Sequence, residues 1–180
     1  MHVRSPRRAE DERHTLDFPV GPFENERLSF LYESGLLDGA PNPVLEDLCR
    51  LARERFDVEM ALVTLLEEDF QVFRAKCGVG APHTPRDVAF CNYTILEDHL
   101  FIVPDARKDP IFRTNPLVSG EPYLRFYAGA PLTCMENIRL GAFCLLDRQP
   151  RELSPGEREE LREYAERVVA ELIRMITWVA

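Results

Sequence analysis

The chain has no apolar run approaching the ~20 residues needed to cross a bilayer; the C-terminal LIRMITWVA is apolar, but it is short and carries Arg174. No apolar segment follows the N-terminal arginines, as one would in a secretory signal. The five cysteines, Cys49, Cys77, Cys91, Cys134 and Cys144, are scattered, with no CxxC and no Cys/His ligand spacing. A structural zinc site is therefore not expected. There is also no cluster of positive charge. The net charge is -9 and the basic residues alternate with acids, whereas phosphate backbones demand grouped Lys and Arg. No Ser/His/Asp set, carboxylate pair or glycine-rich phosphate loop can be assembled, and His83 and His99, without spaced partners, read as loop or surface residues. These absences exclude most enzyme classes, a general nucleic-acid partner and a membrane span. They leave a reduced, cytoplasmic, soluble protein as the expectation.

What is present fits one domain with a full core and a small extension: 180 residues, 45% hydrophobic and 29% charged. Residues 1–22, with mixed charge and little periodicity, read as a disordered or flexible tail, and 23–180 as the domain. Leu28, Leu31 and Tyr32 share a face of a first helix that Gly35 can stop. Asn42-Pro43 predicts the N-cap and first residue of a second helix, with Leu45, Leu48, Cys49, Ala52 and Phe56 on one stripe. VEMALVTLL (58–66) is a buried-strand pattern. FQVFRAKCG (70–78) alternates Phe70, Val72, Arg74 and Lys76 with Gln71, Phe73, Ala75 and Cys77, and predicts an antiparallel partner joined through EED.

Gly78 to Pro85 reads as loop, and Asp87 as the cap of a short helix over VAFCNYTIL. FIVP (101–104) predicts a short strand. The segment from Asp105 to Gly120, broken by Pro110 and Pro116, allows only short helical turns at 105–107 and 109–113. RFYAGAPL (125–132) and LGAFCLLD (140–147) predict a second hairpin with Glu136-Asn137 at its tip. Asp147 is expected to cap the turn that follows. Ser154-Pro155-Gly156-Glu157 is a capping-box signature. The helix behind it carries a stripe from Leu161 to Val179 wide enough to cover a sheet on one side and meet a second helix on the other.

PRDVAFC (85–91), VPDARKDPIFRTNPLV (103–118), LRFYAGAPL (124–132) and LGAFCLLDRQPREL (140–153), in that order, resemble the GAF family of small-molecule sensor domains. The likeness runs from about Glu24 to Ile176. It implies an α+β fold: a six-stranded antiparallel sheet with the N- and C-terminal helices on one face, and ligand-pocket loops and short helices on the other. Phytochrome-like members attach a bilin through a Cys followed by His, whereas here Cys91 is followed by Asn92. The motif of cyclic-nucleotide-binding members is not recognisable. Members that reduce free methionine sulfoxide use several cysteines around the pocket; Cys91 sits at a comparable place, but the loop from Asp105 to Tyr123 has no second one.

A long polar, aromatic-rich loop inside a compact domain usually covers a pocket. The expected ligand-binding residues are Phe90, Cys91, Tyr93, Asp105, Asn115, Tyr123, Arg125 and Tyr127, a mixture suited to a partly apolar cavity. Arg125 would grip a carboxylate or phosphate if it faces inward; the alternative is an ion pair with Asp105, Asp109 or Asp87. Cys91 is either a thiol activated at a helix start or a small packed residue. No cofactor can be named, and no metal is expected. With no kinase, cyclase or DNA-binding segment between Met1 and Ala180, the expectation is a sensor that binds a small ligand, dimerises through its terminal helices and signals to a partner in trans. The alternatives are a thiol reductase using Cys91 and a ligand-free dimerisation module.

Overall fold

The computed structural model describes residues 18–177. Most of the expected tail, residues 1–17, and Val179 of the last stripe lie outside the described residues. The chain forms a six-stranded, wholly antiparallel sheet of order β3-β2-β1-β6-β5-β4. The strands are β1 (Met60–Leu66), β2 (Phe70–Cys77), β3 (His83–Pro85), β4 (Phe101–Val103), β5 (Phe126–Met135) and β6 (Ile138–Asp147). Three longer helices cover one face: α1 (Glu24–Ser34), α2 (Pro43–Phe56) and α5 (Pro155–Met175). The other face carries the single-turn helices α3 (Cys91–Thr94) and α4 (Pro116–Ser119) and two 3-10 turns at 86–88 and 106–108. This is the α+β architecture implied by the sequence.

The local reasons are those the residues suggested. Asn42 caps α2 by accepting from Leu45 N, Pro43 occupies the first turn, and Gly35 ends α1 in the left-handed region at φ 73. Ser154 and Glu157 form the reciprocal capping box of α5. β1 is buried along its whole length because both sides are covered, and all of it but Thr64 is apolar. Along α5, Leu161, Ala165, Val168 and Leu172 all enter the helix-side core, so the stripe serves the sheet. Ile173 is about half exposed on the outer face.

Three local expectations need correction. The loop between Gly78 and Pro85 contains β3, which pairs with the start of β2. VAFCNYTIL is not one helix: a 3-10 turn precedes α3, and Asp87 caps neither, the turn's N-cap being Pro85 without a side-chain bond. Within β2, Phe73 and Ala75 do not share a face. The register slips between Val63 and Thr64 of β1, leaving Arg74 without a partner, so Phe73 faces the loop side and Ala75 the helix side. One unpaired residue reverses the parity of everything beyond it.

Candidate ligand site

The sheet's loop side is packed with rings. Phe90 stacks on Phe112 with centroids 4.0 Å apart, and Tyr93 stacks on Phe101 at 5.7 Å. Tyr127 joins both groups, 5.3 Å from Phe90 and 6.2 Å from Phe101. Of the expected binding residues, Phe90, Cys91 and Tyr127 are therefore brought together and buried, with Tyr93 half-buried beside them. Phe112 and Phe101 complete the cluster, and neither was singled out from the sequence.

Tyr127 points along the sheet rather than away from it. Its alternation with Phe126 puts its ring on the loop side, and the ring lies over Gly129, where a Cβ would overlap the hydroxyl. There the hydroxyl sits 2.7 Å from Thr94 Oγ1 and 3.1 Å from Cys91 Sγ. Thr64 Oγ1 is 3.3 Å from the same sulfur and accepts the Ala142 N–H at 3.1 Å. Burial pushes the Cys91 thiol up, but hydrogen bonds from Cys144, Thr64 and Tyr127 outweigh it and hold the thiol below its usual value. Cys144 and Tyr127 go the other way: burial raises both well above their ordinary ranges, and the neighbouring Cys91 adds to it. The loop between 105 and 123 has no thiol, whereas Cys144 is a second buried one on this face. It comes from β6, where the sequence showed only another strand residue.

The remaining expected residues frame the cluster. Asn115 caps α4 through Leu117 N and donates Nδ2 to Val88 O, tying the long loop to the α3 connection. Arg125 makes no salt bridge with Asp105, Asp109 or Asp87. It sits on the loop side, donating Nη1 to the carbonyls of Val118 and Leu124, at the end of α4 where a cation is favoured. Tyr123 is exposed in the left-handed region, φ 56, with the Arg125 guanidinium 6.0 Å from its ring centre. Asp105 stands apart: it binds Arg107 through both oxygens, which holds its carboxyl below the usual range. It lines an open surface hollow of ≈ 700 Å³ with Lys108, Pro150 and Arg151, a mixed-charge depression that does not reach Phe90, Cys91 or Tyr127. Asp147 Oδ1 accepts from Gln149 N, closing the turn as expected, and Oδ2 accepts from Glu59 N.

A second set of residues went unnoticed in the sequence. Arg86 is buried, 2% exposed. Its Nε donates to Asn92 Oδ1, and Nη1 donates to Glu24 Oε1 and Glu67 O. Asn92 returns Nδ2 to the carbonyls of Arg86 and Ala89, fixing the backbone that presents Cys91. Glu24 also receives Arg27, and the ring of Phe18, near the end of the expected tail, lies 4.6 Å from the Arg86 guanidinium. Arg86 thus joins α3, the β1–β2 turn and α1. An arginine after a proline in a loop carries no local sign of burial, so periodicity alone could not have found it.

A sheet of this order, with its three long helices behind and a clasped loop layer in front, is the architecture of a GAF domain. The GAF domain profile matches residues 41–172, and the chain belongs to that family. It is 40% identical over 155 residues to a cyclic di-GMP phosphodiesterase of Pseudomonas aeruginosa; the match takes in 86% of this chain but spans only 26% of that protein. Among solved structures it is similar to a free methionine-R-sulfoxide reductase of Neisseria meningitidis (TM-score 0.60, 14% identity, 90% of this chain and 97% of that one). It is likewise similar to the PixJ GAF domain of Thermosynechococcus elongatus in its blue-light-absorbing form (TM-score 0.59, 14% identity, 87% and 91%). A third is the GAF domain of a phosphoenolpyruvate-protein phosphotransferase from Acinetobacter (TM-score 0.58, 12% identity, 86% and 96%). At such identities these structures share the fold with this chain.

Proposed function

We propose that this chain is a cytoplasmic sensory and regulatory GAF domain that takes a small ligand between its sheet and the 86–127 layer, and passes occupancy to its terminal helices. The observation that carries the reading is the buried bridge Asn92–Arg86–Glu24. It runs from the backbone beside Cys91, through the buried Asn92 and Arg86 side chains, to the first turn of α1, where the Glu24 side chain is 15% exposed. A ligand acts only by contacting two arrangements differently. Here, entry means parting the Phe90–Phe112 stack, and α3 cannot move without pulling on Arg86. Phe90, Cys91, Tyr93 and Tyr127 form the floor of such a site; Asn115, Tyr123 and Arg125 form its rim, with Asp105 and Arg107 steadying the loop beside it. The relative's activity suggests the output: control of cyclic di-GMP hydrolysis by a catalytic unit, in cis or in trans, through a dimer formed along α1 and α5.

Native mass spectrometry of the protein taken from its own host tests the first half. A bound small molecule on a dimer is the expected result, and no bound species with no change in melting temperature across a metabolite panel overturns it. Arg86→Met tests the second half. The variant should still bind, while ligand no longer alters amide-exchange protection in α1.

The tight Phe90–Phe112 stack favours a second reading, a ligand-free dimerisation module whose interior is filled by its own side chains. It predicts the dimer without any bound species.

A further inference from the structure

Two thiols meet in this interior while remaining free. Cys91 Sγ is placed by Tyr127 Oη at 3.1 Å and Thr64 Oγ1 at 3.3 Å. Tyr127 lies over Gly129, and Gly129 is the direct cross-strand partner of Cys144. On the other side, Cys144 pairs with Leu62, two residues along β1 from Thr64. These contacts set Cys91 above one spot of the sheet, on the same buried loop-side face as Cys144. The other cysteines are differently placed: Cys49 lies in the helix-side core, and Cys77 and Cys134 are only partly buried.

We propose that Cys91 and Cys144 are a reversible dithiol–disulfide pair, oxidised by a small uncharged hydroperoxide. The Cys91 sulfur attacks one peroxide oxygen. An S–O bond forms, the O–O bond breaks, and the departing oxygen leaves as water (or an alcohol) with the proton given up by Cys91. The Cys144 sulfur then attacks the sulfenic sulfur. The S–S bond forms, the S–O bond breaks, and the hydroxyl leaves as water with the Cys144 proton. The two thiols lose two electrons and two hydrogens, and the peroxide takes up both. The hydroxyls of Tyr127 and Thr64 can donate to the attacking sulfur, which favours its thiolate. The enclosure admits only a small neutral oxidant. The product would fasten α3 to β6 one residue from Asn92, and this proposal stands whether or not a separate ligand exists.

The test is to expose the full chain to hydrogen peroxide, unfold it in alkylating reagent and map the peptides. The expected product is a cross-link between the Cys91 and Cys144 peptides, with two fewer alkylated thiols, reversed by dithiothreitol. Cys144→Ser should stop the sequence at a sulfenic acid on Cys91 that dimedone traps. Tyr127→Phe should slow the loss of the Cys91 thiol by about tenfold, the effect of one hydrogen bond to a charged atom. Oxidation confined to Cys77 or Cys134, with Cys91 and Cys144 both alkylated after unfolding, would overturn the proposal. That mapping uses the unaltered protein, so it decides the matter even if a variant fails to fold.

Discussion

Gly129 determines where Tyr127 can lie. A side chain on the loop side of β5 normally stands up from the sheet; this one is laid flat because the next position on that face has no Cβ. An alanine there would overlap the Tyr127 hydroxyl and sit 2.9 Å from Thr94 Oγ1. Gly129→Ala should therefore lift the ring off Cys91 and lower stability by about 1–3 kcal/mol, the range for overpacking a filled core. Urea unfolding measures the loss, and a shift of the Tyr127 ring resonances in the NMR spectrum would show that the ring had moved. The sequence pointed to Cys91 as a thiol at the start of a short helix and to Tyr127 within RFYAGAPL, beside the long loop expected to cover a pocket. Its patterns missed Cys144, Phe112 and Arg86, whose importance lies in what approaches them from distant parts of the chain.

Elements that carry their own signals were the legible ones. The α5 capping box, the Asn42-Pro43 start of α2 and the β5–β6 hairpin, with Asn137 at φ 62 in its tip, are settled by residues within a few positions of each other. β3 is three residues long and exists because β2 offers it an edge; α4 depends on one Asn115 cap ahead of a proline. Neither has a period long enough to detect. The stripe of α5 shows the limit from the other side: its pattern announced a wide apolar face but not how the sheet and a partner would divide it. Leu172 is in the core, whereas the adjacent Ile173 is 51% exposed. Leu172→Ala should accordingly lower unfolding free energy by about 2–5 kcal/mol, while Ile173→Ser stays within about 0.5 kcal/mol. If α5 mediates dimerisation, sedimentation should show weaker association for Ile173→Ser with its melting curve unchanged.

For the molecule as a whole, the two layers that sandwich the sheet are connected at one end by the Glu24, Arg27 and Arg86 cluster, in which a single carboxylate serves two buried guanidinium groups. Burial pushes the Glu24 carboxyl up, but hydrogen bonds and charge from Arg27 and Arg86 prevail and hold it below its ordinary 4.5. A carboxyl depressed in the folded state stabilises fully above its unfolded value. That contribution fades as pH falls below about 4.5 and is gone once the folded value is passed. Acidification over that window should release α1 from the α3 connection before the sheet melts, seen as earlier amide exchange in α1 than in β1 and β6. Glu24→Gln should remove this share of the pH dependence. It should also cost about 3 kcal/mol at neutral pH, the lower end for breaking a buried pair because Glu24 keeps one side toward solvent. Subtracting the variant's stability-versus-pH curve from that of the unaltered protein isolates Glu24 from the other carboxylates. A flat difference between neutral pH and the acid limit would mean that Arg27 and Arg86 do not hold the folded Glu24 carboxyl below its ordinary value.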